Sequence, residues 1–190
     1  MDSEEVIERF RRTGALLEGH FVLSSGLHST QYLQCALVLQ HPREAQAFAR
    51  AIAAHFRGET VETVAAPAIG GIVIGYEVAR ALGAKSIWTE REAGRMMLRR
   101  GFTIRAGERV VVVEDVITTG GSTRETIDAL REAGAQVVAA ASIIDRSAGR
   151  ADVSIPRVAL ATLDVPTFAP EACPLCAQGV PATKPGSRKP

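Results

Sequence analysis

Residues 110–123 read VVVVEDVITTGGST, and this stretch constrains the architecture more than any other. Four consecutive valines are too β-branched for a comfortable helix and too few to cross a membrane, so they predict a buried parallel strand. Two adjacent acids, Glu114 and Asp115, stand at its end. Thr118, Thr119, Gly120 and Gly121 then supply backbone N–H groups with little bulk around them. Ser122, with Glu125 three residues on, has the spacing of a capping box that opens a helix. Such a loop at a helix N-terminus is an anion cradle, because free N–H groups and the helix dipole both favour a phosphate. An acid at a strand end is by itself as consistent with a solvated cap as with a site. The whole string is far more specific. It is not a Walker A loop or a dinucleotide-binding fingerprint, since neither GxxxxGK[ST] nor GxGxxG occurs in the chain.

The flanking pattern alternates strand and helix. Strands are expected at 61–66, 86–89, 109–113, 137–144 and, near an edge, 158–163. Helices are expected at 72–82, closed by Gly83, and from the signature loop through Ala133, stopped by Gly134. This order implies a mainly parallel α/β sheet with ligands at the carboxyl ends of its strands. Loops 66–71, 116–122 and 145–149 gather there. Ahead of this core, Ser3 is expected to cap a helix running to about Arg12. Short strands at 21–23 and 31–33 flank a turn at Gly26, and Pro42 opens a helix with Ala45, Phe48, Ala49, Ile52 and Phe56 on one face. Three parts follow: an N-terminal hood at 1–40, a core at 41–170 and a tail at 171–190.

With 190 residues and 46% hydrophobic content, one sizeable core is expected. A formal net charge of +1 gives no reason to invoke a nucleic-acid or membrane partner. The charged opening MDSEEVIERFRR lacks the apolar segment of a secretion signal. No apolar run approaches the ~20 residues of a membrane-spanning helix. Three cysteines, an odd number, argue against a disulfide framework and for a reducing cytoplasm. Cys173 and Cys176 form a C-P-L-C pair, but zinc usually needs four ligands and no second CxxC or HxxxH completes them. The pair reads as a tight turn in a docked tail, and 179–190 as a frayed terminus.

The string at 110–123 matches the signature of the type I phosphoribosyltransferases: a hydrophobic strand, two acids, two aliphatic residues and a Thr/Gly loop. Together with GHFVLSSGLHS at 19–29, APAIGG at 66–71 and SIIDR at 142–146, it makes the chain resemble the orotate phosphoribosyltransferases over nearly its whole length. The resemblance implies the type I fold, a mainly parallel sheet flanked by helices with a small N-terminal hood. It implies transfer of the phosphoribosyl group of 5-phospho-α-D-ribose 1-diphosphate to orotate, giving orotidine 5′-monophosphate and diphosphate in de novo pyrimidine biosynthesis. It also implies a Mg²⁺ ion carried by the diphosphate and ribose hydroxyls rather than by protein ligands, and a homodimer with shared active sites.

Residue by residue, the resemblance gives Glu114 and Asp115 to the ribose hydroxyls. Fixed negative charge there also stabilises an oxocarbenium-like transition state. Thr118, Thr119, Gly120, Gly121 and Ser122 fall to the 5′-phosphate, and Val116 and Ile117 just before them to substrate binding. Ala68 and Gly70 fall to the diphosphate loop, where small residues allow close backbone approach, although a plain strand–helix turn would read the same. Arg146 suits a planar carboxylate, which orotate carries and purines lack. Taken alone, it would read as a surface arginine paired with Asp145. Residues 91–100 (REAGRMMLRR) occupy the place of a mobile basic loop that closes over the diphosphate from the neighbouring subunit. Arg91 aligns with the family's strand-end basic residue and takes a catalytic, substrate-binding role. The rest, Arg95, Met96, Met97, Arg99 and Arg100, departs from the usual lysine- and histidine-containing pattern. Arg99-Arg100-Gly101 reads equally as the tip of a β-hairpin. Ser24 stands where many relatives have a lysine, and His20 and His28 read as structural or solvent-facing. Two alternatives stay open: a purine phosphoribosyltransferase, and a non-catalytic homologue that binds nucleic acid. Arg146 and the hood segment argue against the first, near-neutral charge against the second.

Overall fold

A computed structural model describes residues 1–23 and 25–185 of the chain; the position of Ser24 lies outside the described residues. Helix α1 (Ser3–Arg12) turns Val6, Ile7 and Phe10 inward. Its cap is Asp2 rather than Ser3: Asp2 has the extended backbone a cap requires, and its Oδ1 accepts the Glu5 N–H at 2.8 Å. Strands β1 (Leu16–Val22) and β2 (His28–Leu33) form an antiparallel hairpin longer than the two short strands expected. A register shift between Glu18 and Phe21 breaks the alternation that would have revealed its length. A short helix α2 (Cys35–Leu39) leads to α3 (Pro42–Ala54), which has Pro42 in its first turn as expected and packs Phe48 on Phe10, ring centroids 5.9 Å apart.

The core then runs β3 (Thr63–Pro67), α4 (Gly71–Leu82), β4 (Lys85–Glu92), β5 (Arg95–Leu98), β6 (Arg109–Ile117), α5 (Gly121–Glu132), β7 (Gln136–Asp145) and β8 (Arg157–Thr162). The sheet order is β5-β4-β3-β6-β7-β8, with every pair parallel except β4–β5. This is the mainly parallel α/β sheet anticipated, with β8 at the edge. Val110, Val111, Val112 and Val113 are fully buried and alternate between two apolar clusters. Val111 and Val113 face the cluster of α1, α3 and α4, while Val110 and Val112 face that of α5. Each such burial contributes about 1.5–3 kcal/mol, and a strand covered on both faces has no polar alternation to show.

A hairpin does occupy the basic segment, but its tip is Ala93-Gly94, both at positive φ, not Arg99-Arg100-Gly101. A two-residue hairpin turn needs that backbone at both positions. Arg100 and Gly101, also at positive φ, turn the chain out of β5. Strand β9 (Thr167–Phe168) joins β2, so the hood sheet has the order β1-β2-β9. Beyond it, α6 (Pro174–Ala177) is capped by Cys173 and contains Cys176. The tail that follows is docked through Thr183 rather than frayed: Thr183 accepts the Val22 N–H at 2.8 Å and donates to the His20 carbonyl at 2.9 Å. It thereby covers the edge of β1 that β2 leaves unpaired. Residues 186–190 lie outside the described residues. No described helix is long and apolar enough to cross a membrane.

Candidate active site

The acid pair lies within β6, not after it. The strand continues through Ile117, with Glu114 opposite Ser142 and Ile117 opposite Asp145 of β7. Thr123, on the first turn of α5, donates its hydroxyl to Glu114 Oε2. Burial pushes the Glu114 carboxyl up to about 7; the Thr123 bond opposes this and the neighbouring Asp115 adds to it. Burial also raises Asp115, against hydrogen bonds from the Val116 N–H at 2.9 Å and from the Cys35 thiol. Cys35 is itself held protonated, first by burial and then by Asp115, so it acts as a buried S–H donor beneath the acid. Its role was missed at the sequence level, where only a helical, apolar context marks it.

The turn after β3 presses against this pair. A Cβ on Gly70 would stand 2.9 Å from both Asp115 carboxylate oxygens. One on Gly71 would stand 3.0 Å from the Val113 carbonyl, and one on Gly75 2.8 Å from Ala66 Cβ. Ala68 donates its N–H to the Thr89 carbonyl at 2.8 Å, and the Ala68–Ile69 peptide is cis. Ala68 and Gly70, expected at the diphosphate loop, and the acids of β6 therefore share one end of the sheet.

Gly120, in the left-handed region at φ 76°, occupies the cap position of α5, and no side chain caps the helix. The expected capping box is not formed. Gly121 is already helical, which puts Ser122 inside the first turn instead of at the non-helical position a cap needs. Glu125 instead pairs with Arg91. The first N–H groups of α5 thus stay available to an anion beside Thr118 and Thr119. Arg124 braces the loop, donating Nη1 to the Thr119 carbonyl at 3.0 Å and to the Asp152 carbonyl. That residue was also missed, because its partner lies on a distant loop.

Arg146 follows β7 directly, its N–H bound to the Ile117 carbonyl at 2.8 Å. The pairing with Asp145 does not occur. Asp145, 1% exposed, takes Arg157 Nη1 at 2.6 Å and the N–H and hydroxyl of Ser147 at 2.8 and 2.6 Å. Among the described residues Arg146 has no acid partner. Burial lowers its pKa, with Tyr32 of β2 acting in the opposite sense, so the hood strand reaches this end of the sheet.

The basic segment is a folded hairpin rather than a free loop. Arg91 donates Nη1 to the Gly94 carbonyl at 2.6 Å and places Nη2 2.5 Å from Glu125 Oε2. Arg95 faces Glu132, Arg99 faces Glu90 and Glu92, and Arg100 faces Glu90. Each arginine of the segment meets an acid of its own chain. His20 and His28 are buried, not solvent-facing.

A model of the phosphoribosyl transferase domain matches residues 36–170. An orotate phosphoribosyltransferase of Pelotomaculum thermopropionicum is 54% identical over the full length of both chains, and one of Caldicellulosiruptor bescii 53%, again over both in full. The crystal structure of orotate phosphoribosyltransferase from Aeropyrum pernix superposes with a TM-score of 0.71 at 28% identity, covering 83% of this chain and 93% of that one. The matched stretch runs from the hood to the tail. The chain belongs to the orotate phosphoribosyltransferases, within the phosphoribosyltransferase family.

Proposed function

We propose that the protein transfers the phosphoribosyl group of 5-phospho-α-D-ribose 1-diphosphate to orotate, forming orotidine 5′-monophosphate and diphosphate for pyrimidine synthesis. The observation that carries this reading is Arg146, a partly buried guanidinium that has no acid partner among the described residues, beside the strand that bears Glu114 and Asp115. A planar carboxylate answers it with two parallel hydrogen bonds. A purine base offers no such group, so the purine alternative is disfavoured.

In this reading the N-terminus of α5 and the Thr118–Thr119 hydroxyls hold the 5′-phosphate. Glu114 and Asp115 accept from the ribose hydroxyls, and their charge lies close to the sugar carbon as it becomes cationic. The orotate ring nitrogen displaces diphosphate at that carbon, and no protein nucleophile is required. Tyr32 and the hood exclude water on the orotate side. The turn at Ala68 and Gly70 receives the diphosphate, close against Asp115. Glu114 and Asp115 would back Mg²⁺ held by the diphosphate and ribose hydroxyls; when bound, it neutralises charge on the leaving group.

A homodimer with shared sites accords with the apolar residues that the chain exposes around α4: Ile69, Val73 and Tyr76 are 85%, 46% and 59% exposed. Arg91 would serve the partner's site after exchanging Glu125 for diphosphate. A cytoplasmic setting accords with three free cysteines. The test is product analysis with purified protein, 5-phosphoribosyl 1-diphosphate, Mg²⁺ and either orotate, adenine or hypoxanthine. Orotidine monophosphate should form and the purines should stay unconsumed. Purine nucleotide formation in place of orotidine monophosphate would overturn the reading.

A further inference from the structure

Four side chains that the transfer reaction does not use converge where the hood meets the tail. They are His20 of β1, His28 of β2, and Cys173 and Cys176 at the start and within the turn of α6. One ligand atom from each lies within 4.8 Å of every other. His20 Nε2 is 2.8 Å from His28 Nδ1, 3.4 Å from Cys173 Sγ and 3.8 Å from Cys176 Sγ; Cys176 Sγ is 3.2 Å from His28 Nδ1. His20, His28 and Cys173 are buried.

We propose that these four residues bind one zinc ion, in a closed structural site that fastens the C-terminal tail to the hood. Two sulfurs and two imidazole nitrogens are a donor set that zinc takes in tetrahedral structural sites. Metal–nitrogen bonds of about 2.0–2.1 Å and metal–sulfur bonds of about 2.3 Å set tetrahedral edges of roughly 3.3–3.8 Å. The three sulfur–nitrogen separations given above already sit close to that range, and the two nitrogens need to part by about half an ångström.

The protonation pattern supports the same assignment. His20 Nδ1 lies 2.7 Å from the Val180 carbonyl, an acceptor only, so this nitrogen carries the proton and Nε2 presents its lone pair to the cluster. Fixing a ligand imidazole through a backbone carbonyl is the usual outer contact of a metal-bound histidine. Three polar groups then crowd one lone pair, more than hydrogen bonding requires. On binding, each cysteine S–H gives its proton to solvent and forms a sulfur–metal bond. Zn²⁺ with two thiolates and two neutral imidazoles carries no net charge, which suits a buried position.

The ligand spacing explains what the ion does. The tail meets the hood sheet through the Thr183 backbone and the Val180 carbonyl, and β1 and β2 are joined by the short turn around Gly26. A four-coordinate ion ties both strands to α6 and leaves no open position for catalysis.

The experiment uses the full chain without a histidine tag, purified under reducing conditions. Elemental analysis should find one zinc per chain. Removing it with a chelator, with Mg²⁺ restored afterwards, should lower Tm, and added Zn²⁺ should return it. Titrating the metal-free protein with Co²⁺ should give the intense visible bands of tetrahedral cobalt and a near-ultraviolet thiolate-to-cobalt band. Cys176→Ser and His28→Ala should each lose stoichiometric zinc, and Cys176→Ser should weaken the thiolate band. Absence of zinc at stoichiometric levels together with an octahedral or absent cobalt spectrum overturns the proposal, as does a Cys173–Cys176 disulfide in the native protein. These readouts are independent of orotate turnover, so failure of the zinc site and failure of the transferase reading are separate results.

Discussion

Gly70 and Asp115, 45 residues apart in sequence, meet so closely that a single methyl group on the glycine would stand 2.9 Å from both carboxylate oxygens. Gly70→Ala should therefore push the Asp115 carboxylate off its position while leaving the sheet intact. A displacement of about 1 Å in such a site costs on the order of 10²-fold in rate. Steady-state kinetics beside a thermal melt checks this. Wild-type kcat/KM in the variant would mean that the carboxylate can yield without consequence.

Glu114 provides a pH dependence. Its carboxyl is raised from 4.5 to about 7 in the folded protein, so between those values the native state holds a proton that the unfolded chain has released. Stability from this group is full below the unfolded value and falls as pH rises through the folded one. The total change is roughly 3 kcal/mol. Glu114→Gln should flatten that part of the profile, measured by urea denaturation from pH 4.5 to 8. Parallel profiles for the two proteins would remove Glu114 as the cause.

Arg146→Ala should weaken orotate binding by about 1.5–3 kcal/mol, the contribution of a charged hydrogen-bond partner, and leave phosphoribosyl diphosphate binding near wild type. Calorimetric titration with each ligand separates the two. Equal losses would take Arg146 out of the base site.

The buried Asp145–Arg157 pair predicts an effect on stability. Arg157→Ala leaves a carboxylate buried without its cation, at a cost of about 3–5 kcal/mol. The folded pKa of Asp145 is lowered, despite burial, by Ser147 and then Arg157. Its contribution is present above the unfolded value and is lost as pH falls through the folded one. The gap between wild type and variant should narrow in acid, read from denaturation midpoints. A gap independent of pH would assign the loss to packing of the Arg157 stem.

Arg91 and Asp115 test the proposed sharing of sites between two subunits. Arg91→Ala and Asp115→Asn should each be nearly inactive as homodimers. A hybrid dimer has one site with both intact parts and one with both defects. Random exchange makes half of the dimers hybrid, so activity should recover to about a quarter of wild type. Exchange confirmed by mass spectrometry with no recovery would confine Arg91 to its own chain, where it already meets Glu125.

The helix and strand order was legible because it is written in local pattern. Val110–Val113 lie between two apolar clusters, and a strand buried on both faces must be β-branched and continuous. Gly83 ends α4 at φ 69°, as a glycine after an apolar helix should. Boundaries were less legible. Glu114 and Asp115 look like the end of β6, yet pairing with β7 carries the strand to Ile117. Ser122 has the spacing of a cap, yet the turn geometry at Gly120 starts α5 earlier.

The sequence by itself determined the strand and helix order and the glycine turn before α5, because apolar periodicity and turn chemistry act over a few neighbouring residues, while its motifs carried the family resemblance. Only the tertiary structure decided which charges and ligands are free. Asp145 looks like the partner of adjacent Arg146, but β8 brings Arg157 against it and leaves Arg146 without an acid partner among the described residues. Cys173 and Cys176 look two ligands short of a metal site, but the β1–β2 register and the docking of α6 bring His20 and His28 from about 150 residues away. Contacts of that separation depend on strand pairing and packing, and no local spacing encodes them.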